Sequence, residues 1–586
     1  MPLPRLTPRA RSALIGASLL ITLSACERPA TQAPPAPVEV APESAVAEPR
    51  PNDIVLLHGG IIHTVDSGQP LASAMAFYRS GEILAVGDDA ALLAAFPDAT
   101  QRDLAGRTVI PGLIDSHGHL HNFAESLTRA QLMGTQSKEE VVQRLREHEQ
   151  SLGANDWLLG RGWDQNDWPV QEFPSAADLD QAFPDRPVLL ERIDGHAAWA
   201  NSAAMAMADR DLSGDWQVEG GLIYRDAAGQ PTGIFIDKAA LLLEQIVPAT
   251  SDATMMEALD LAQDELLRLG LTGVHDPGLG RVAMDRFQRK LAQGQLRTRL
   301  YAMTDGAGET LDWLCANGPL EDPDGFLFMR ATKLYGDGAL GSRGAALLED
   351  YSDDPGNRGL LFLQAQEMQA QVDKVLACGF QVAVHAIGDR GNRVVLDAMA
   401  AAMAAHPDNP GRHRVEHAQL VAPEDLARFA ELGIIAAMQP THATSDMYWA
   451  ERRVGPERIQ GAYAWRTLLD SGAKLAFGSD FPVEQVDPRL GLFAAVSRQD
   501  LAGEPAGGWY ADERVTRYEA LRGFTLDAAY AGFMEKMVGS LEEGKRADFV
   551  VLDRDYMSIP VAEIPKLVVL ETWLDGKQLY AAPEAP

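Results

Sequence analysis

An alternation of short apolar strands with helical segments runs through the long middle of the chain, and it restricts the fold more than any other feature. Amphipathic stretches such as 258–269 and 366–377 separate the strands, a pattern typical of a parallel α/β sheet or barrel. The predicted strands end at Ile114, Val274, Tyr301, Leu334, Val384, Val415, Met438 and Phe477. Eight such strands with intervening helices can close into a (β/α)8 barrel, in which the chemistry lies at the carboxyl ends of the strands.

The two ends of the chain have a different pattern. Short apolar runs bounded by glycine-containing turns occur at 54–57, 83–86, 549–552 and 567–570. Runs of this kind indicate short β-strands. We therefore expect a small β unit that uses residues 53–110 and 536–586, with the barrel built from residues 111–535.

A long insertion follows the first predicted barrel strand, at about 125–250. It is rich in tryptophan, with Trp157, Trp163, Trp168, Trp199 and Trp216. These side chains either line an apolar substrate pocket or pack a core, since tryptophan is usually largely buried in any case. The sequence leaves both interpretations open.

The first 26 residues have the features of a bacterial lipoprotein signal peptide. Three arginines precede an apolar run at 13–23, which is too short to span a bilayer. The sequence Leu23-Ser24-Ala25-Cys26 resembles a lipobox, in which the cysteine becomes the lipidated first residue. A signal peptide with a chance cysteine is the alternative. Residues 27–50, rich in proline and alanine, indicate a tether.

This pattern predicts a lipid-anchored protein on the periplasmic side of the bacterial cell envelope. Glu27 stands where an inner-membrane retention signal usually has aspartate, which favours the outer membrane. Only Cys315 and Cys378 remain after the lipobox cysteine, too few for a disulfide framework. Cys378 lies in an apolar helical stretch, so we expect it to be simply buried.

The net charge of −32 argues against nucleic-acid binding, because phosphate backbones require clusters of lysine and arginine. We therefore expect no nucleic-acid partner.

Several of the 13 histidines fall at predicted strand ends. His117 and His119 are two residues apart, so in an extended strand both side chains point the same way and can bind one ion. His385 and His417 end later strands, and Asp480 follows the last one. Four strand ends of one barrel can bring these five side chains together, which predicts a metal site.

The motifs around these residues resemble the amidohydrolase superfamily. They are residues 111–119, 385–389, 416–417 and 478–480, in the family's order. The closer resemblance, from about 53 to 576, is to the amidohydrolase-3 or YtcJ-like branch, which includes N-substituted formamide deformylases. The resemblance implies an α/β fold: a distorted, TIM-like (β/α)8 barrel with a small β-sandwich formed by both ends of the chain.

The resemblance also implies roles for single residues. By position, His117, His119, His385 and His417 are metal ligands, and Asp480 is both a ligand and a proton shuttle. Lys333 lies at the fourth strand end, where related enzymes have a carboxylated lysine that bridges two metals. An ordinary lysine would repel a metal ion, so Lys333 is either carboxylated or turned away. We expect one or two divalent ions, with zinc as the first candidate.

The resemblance implies hydrolysis of a carbon–nitrogen bond other than a peptide bond, in a small-molecule N-acyl or N-formyl amide. A metal-activated hydroxide would attack, and Asp480 would carry the proton to the leaving nitrogen. His196 and His442 are candidates for binding the substrate or its oxyanion. A homodimer is also compatible with the sequence.

Two alternatives stay open. The same site can hydrolyse a cyclic imide, a lactone or another ester. The second alternative is a non-catalytic, ligand-binding lipoprotein, but the complete set of ligands argues against a decayed site.

Overall fold

The computed structural model describes residues 53–153, 156–165, 168–192, 197–218 and 221–583, and within them the chain forms four β-sheets. The predicted signal peptide and tether, as well as His196, lie outside the described residues. Among the helices of the described part, none is both long and apolar enough to cross a lipid bilayer.

Eight parallel strands form the predicted barrel. They are β1 (Leu113–Asp115), β2 (Leu271–Leu279), β3 (Arg299–Asp305), β4 (Leu327–Tyr335), β5 (Gln381–Ala386), β6 (Arg414–His417), β7 (Ile435–Met438) and β8 (Lys474–Phe477). Each pairs with the next in chain order. Between β8 and β1, the backbone N–H of Ser116 donates to the carbonyl of Phe477 at 3.0 Å, so the barrel is nearly closed. The expected barrel fold is confirmed, although β2 and β3 extend several residues beyond their predicted ends.

Helices cover the outside of the barrel, and Asp252–Arg268 shows why the sequence forms them. Its N-terminus is capped by Ser251, whose side chain accepts a hydrogen bond from the Thr254 N–H. Its buried side chains recur at helical spacing, so one face packs on the strands. The other helices of the barrel region are Leu120–Leu127, Arg281–Ala292, Glu309–Asn317, Ala365–Ala377, Asp389–Ala405, Pro423–Leu432, Pro440–Asp446, Ala450–Arg458, Trp465–Asp470, Pro488–Ser497, Arg517–Gly523 and Leu526–Ala531.

A disulfide joins Cys315 to Cys378, with the two Cα atoms 5.3 Å apart. Cys315 belongs to the helix after β3, and Cys378 ends the helix before β5. The expectation that Cys378 is simply buried is therefore wrong. The sequence could not show the pairing, because 63 residues separate the two cysteines and only the packing of their helices brings them together.

Both ends of the chain build the β unit, as expected. One sheet consists of Ile83–Gly87, Ala74–Tyr78, Ile54–His58 and Thr100–Asp103. The other consists of Lys577–Ala581, Val569–Leu574, Phe549–Leu552, Thr108–Pro111, Ile61–His63 and Leu71–Ala72. Phe77 of the first sheet packs edge-on against Phe549 and Trp573 of the second, at centroid distances of 5.5 and 5.8 Å. Apolar side chains from both ends of the sequence therefore share one core.

The insertion after β1 folds around a six-stranded sheet of its own. The strands are Gly221–Arg225, Pro231–Asp237, Ala197–Ala200, Val188–Arg192, Leu158–Trp163 and Ala130–Gln131. Trp163, Trp168 and Trp199 pack on one another in its core, with ring centroids 5.7 to 6.5 Å apart. Of the two interpretations that the sequence left open, these three tryptophans support the packed core.

Candidate metal centre

The carboxyl ends of four barrel strands carry four of the predicted ligands. His117 follows β1, His385 lies in β5, His417 ends β6 and Asp480 follows β8. His117, His417 and Asp480 are buried and each offers one ligand atom, all within 4.8 Å of one another. This spacing fits side chains that surround one ion, since metal–ligand bonds in such sites are about 2 Å long.

Two more predicted ligands border this group of three. Nε2 of His119 lies 3.1 Å from Oδ1 of Asp480. Nζ of Lys333 lies 3.4 Å from Nε2 of His117. Both side chains face the cavity that contains the group, so the structure places them where a metal could be reached.

His385 and His442 also line this cavity. The ring of His385 lies 4.6 Å from that of His417, but its Nε2 is 3.8 Å from Oδ1 of Asp337 and does not join the group of three. His442 stacks on His417 at 5.9 Å, and its Nε2 lies 3.8 Å from Oδ2 of Asp480. The structure thus places His442 in the wall of the same cavity.

Close packing at the strand ends requires glycine at two positions beside these ligands. A Cβ atom on Gly118 would lie 2.2 Å from the ring of Phe481, and one on Gly478 would lie 2.5 Å from the backbone nitrogen of His117. Only glycine allows the ends of β1 and β8 to approach this closely. His417 and Asp480 adopt φ angles of 73° and 63°, a strained conformation that tends to occur at functional sites.

Residues that the sequence analysis did not assign hold the ligands in place. Asp115 accepts hydrogen bonds from the N–H of His117 at 2.9 Å and from Oγ of Ser479 at 2.6 Å, which ties the β1 end to the β8 end. Oε1 of Gln439 lies 2.8 Å from Nδ1 of His417. Asp115 lies inside the quoted motif at 111–119, so part of the signal was present, but a motif alone does not separate a ligand from its support.

Burial keeps three histidines of the site, His117, His385 and His417, neutral. Burial, together with the nearby Lys333, lowers the pKa of His117 to about 4, and it lowers the pKa of His385 to about 3. Burial also lowers the pKa of His417 well below its ordinary value. Burial opposes the charge of Asp480, but the hydrogen bond with His119 holds the pKa of Asp480 well below its usual range.

These donors fit a divalent metal ion. Neutral imidazole and ionised carboxylate are the forms that bind metals. In addition, Nε2 of His385 and Nε2 of His442 are buried without a hydrogen-bond partner among the described residues. A buried polar atom left in this way is costly unless a ligand or ion satisfies it.

The cavity in front of the ligands has a volume of about 370 Å³. Much of its wall is apolar or aromatic, from Tyr335, Leu340, Ile387, Trp449 and Val483. Asp446 and Glu484 add two carboxyl groups. Such a cavity suits a small molecule with an apolar part.

Comparisons with known proteins agree with this site. The model of the amidohydrolase family matches residues 101–580. The protein YtcJ of Bacillus subtilis (strain 168) is 35% identical over 531 residues, which cover 89% of this chain and 98% of YtcJ. The N-substituted formamide deformylase of Arthrobacter pascens is 29% identical over 560 residues, covering 90% of this chain and 98% of that enzyme.

A solved structure gives the same result at the level of the fold. The uncharacterized metal-dependent hydrolase from Pyrococcus furiosus superimposes with a TM-score of 0.72 at 32% identity, covering 86% of this chain and 100% of that one. The family match spans most of the sequence, and the relatives align along almost their whole length. The resemblance drawn from the motifs is thereby confirmed, and the chain belongs to the amidohydrolase family, a family of hydrolases, in its YtcJ-like branch.

Proposed function

We propose that this protein hydrolyses the carbon–nitrogen bond of an N-formyl or N-acyl amide. The observation that carries the proposal is the group formed by His117, His417 and Asp480, whose ligand atoms lie within 4.8 Å of one another at the carboxyl ends of the barrel strands. The similarity to a formamide deformylase supports amides as the substrate class.

The metal ligands in this proposal are His117, His119, His385, His417 and Asp480, together with Lys333. Imidazole and carboxylate donors suit zinc, the first candidate, in one or two ions. When bound, such an ion lowers the pKa of a water molecule and polarises a carbonyl group.

Asp480 moves the proton in the proposed reaction. Its carboxylate is ionised and lies at the cavity, so it can accept a proton from the attacking water and deliver it to the departing nitrogen. An amine leaves poorly unless it is protonated, which makes this transfer important for amides. His442 also lines the cavity, and its Nε2 has no hydrogen-bond partner among the described residues. We assign it to binding the substrate oxygen.

Lys333 is carboxylated in this proposal. Burial lowers the pKa of Lys333, which favours the neutral amine. The neutral nitrogen adds to carbon dioxide and loses one proton, and the product is an anionic carbamate. The carbamate places an oxygen donor where the unmodified side chain would bring a positive charge beside Nε2 of His117.

The cavity wall restricts the substrate further. Leu340, Ile387, Trp449 and Val483 provide apolar surface next to the ligands. Amides with an apolar substituent on the nitrogen or on the acyl group should therefore bind better than those with a polar substituent.

Removing the metal tests the proposal. We expect purified protein to contain one or two zinc-like ions per chain and to hydrolyse members of a panel of N-formyl and N-acyl amides. A chelator should abolish this hydrolysis, and added Zn²⁺ should restore it. Metal content is measured by elemental analysis and hydrolysis by amine release. Full activity in thoroughly metal-free protein would contradict the proposal.

We also propose that the protein acts outside the cytoplasm, lipid-anchored on the periplasmic side of the envelope and preferably at the outer membrane. The lipobox-like sequence ending at Cys26 supports this location. The disulfide between Cys315 and Cys378 supports it independently, because disulfides persist in oxidising compartments and are rare in the cytosol.

A further inference from the structure

A buried ion pair lies directly behind the ligand His117. Arg414 and Glu416 both belong to β6 and are two residues apart, so their side chains point to the same face, here the barrel interior. Both side chains are 0% exposed. Nε and Nη2 of Arg414 donate to the two carboxylate oxygens of Glu416, at 2.7 and 2.9 Å.

The guanidinium of Arg414 is fixed by two other strands as well. Nη2 donates to the carbonyl of Ser116, at the end of β1, at 2.7 Å. Nη1 lies 2.8 Å from Nδ1 of His275 on β2, whose ring is also buried. Arg414 therefore holds Glu416 in one orientation relative to β1 and β2.

Glu416 in turn holds His117. Oε2 of Glu416 is hydrogen-bonded to Nδ1 of His117, although 299 residues separate the two in the sequence. A carboxylate can only accept, so Nδ1 carries the proton. The other ring nitrogen, Nε2, faces the site, 3.4 Å from Nζ of Lys333 and 3.5 Å from Oδ1 of Asp480.

We propose that Glu416, oriented by Arg414, is a positioning residue that fixes the tautomer and orientation of His117, so that Nε2 is its metal-binding atom. The proposal rests on the metal-dependent function proposed above. A carboxylate on the far nitrogen of a ligand histidine makes the imidazole a stronger donor, and loss of such a partner typically lowers metal affinity about 10- to 100-fold.

Stability alone does not explain a charged pair at this position. Apolar side chains of similar size often replace a buried ion pair with no loss of stability, because the charges must give up their hydration. A second pair of the same kind gives the comparison. The side chains of Arg299 and Asp548 are 1% and 3% exposed, and Nε of Arg299 lies 2.6 Å from Oδ2 of Asp548. Arg299 also donates to the carbonyls of Asp324 and Gly325, but it contacts none of the predicted ligands.

The test compares two matched double variants, each of which removes both charges so that neither charge remains buried alone. The variant Arg414→Gln/Glu416→Gln removes the ion pair that contacts His117. The variant Arg299→Gln/Asp548→Asn removes the other buried ion pair and is the control. Zn²⁺ dissociation constants are measured by competition with a chromophoric chelator, and folding is measured by circular dichroism of the metal-free proteins. We expect the first variant to bind Zn²⁺ about 10- to 100-fold more weakly, and the control to match the wild type. Unchanged affinity in the first variant, or an equal loss in both, would overturn the proposal.

A measurement on wild-type protein keeps the inference testable if the first variant does not fold. In metal-free protein labelled with ¹⁵N-histidine, NMR should show that His117 is the tautomer protonated on Nδ1. The signal of His117 is assigned with Glu416→Gln or His117→Gln. Protonation on Nε2 would overturn the proposal. Neither measurement uses a substrate, so a failure of the proposed amide hydrolysis is distinguished from a failure of the positioning role.

Discussion

In the proposed function, Asp480 combines two tasks that a substitution can separate. Its carboxylate belongs to the group of three potential ligands, and it also lies 3.8 Å from Nε2 of His442, which has no hydrogen-bond partner in the part of the chain that the structure describes. Asparagine in its place keeps the size of the side chain and one oxygen donor, but it cannot accept a proton. We therefore expect Asp480→Asn to lower kcat on amides by at least ~10²-fold while the metal content changes little.

His117→Ala should behave differently and lose metal and activity together, because it removes a ligand. Activated esters should be affected less than amides by Asp480→Asn, since their leaving groups need less protonation. Asp312 is exposed, so Asp312→Asn serves as the control. This variant should match the wild type in turnover and metal content. Wild-type turnover of amides by Asp480→Asn would show that another residue moves the proton, with His442 as the next candidate.

At the scale of elements, the disulfide joins two neighbouring outer helices, Glu309–Asn317 and Ala365–Ala377. It closes a loop of 63 residues, and a cross-link of this length restricts the unfolded chain. We expect Cys315→Ser/Cys378→Ser to lower the free energy of unfolding by about 2–4 kcal/mol, measured as a lower urea midpoint.

The reducing agent TCEP gives the matched control. It should lower the midpoint of the wild type toward that of the double variant and leave the double variant unchanged. A wild-type midpoint that does not respond to TCEP, in protein with no free thiols before the treatment, would contradict a stabilising disulfide.

At the scale of the whole molecule, the proposed location rests on the sequence of the first 26 residues. We expect wild-type protein to fractionate with membranes and to enter the detergent phase, because a lipidated Cys26 would attach it to the bilayer. Cys26→Ser should release it into the soluble fraction, whereas Thr31→Ser, in the predicted tether, should not. The measurement is fractionation with mass spectrometry of the N-terminus. Wild-type protein that is soluble in the cytoplasm and retains Met1 would contradict the proposed location.

The sequence alone determined the features that depend on local pattern. Strands that alternate with helices predicted the barrel, because hydrophobic periodicity is set by residues close in the chain. The same strand ends carried His117, His385, His417 and Asp480, so the neighbourhood of the site could be predicted once the barrel was assumed. The resemblance of the motifs added the family, which the comparisons confirm.

Only the tertiary structure decided which side chains touch. It separates His385 from the group formed by His117, His417 and Asp480. It pairs Cys315 with Cys378, and it brings Glu416 to a histidine 299 residues away. The physical reason is the same in each case. These contacts depend on distances between residues far apart in the chain, and such distances are fixed by the packing of strands and helices, which local pattern does not contain.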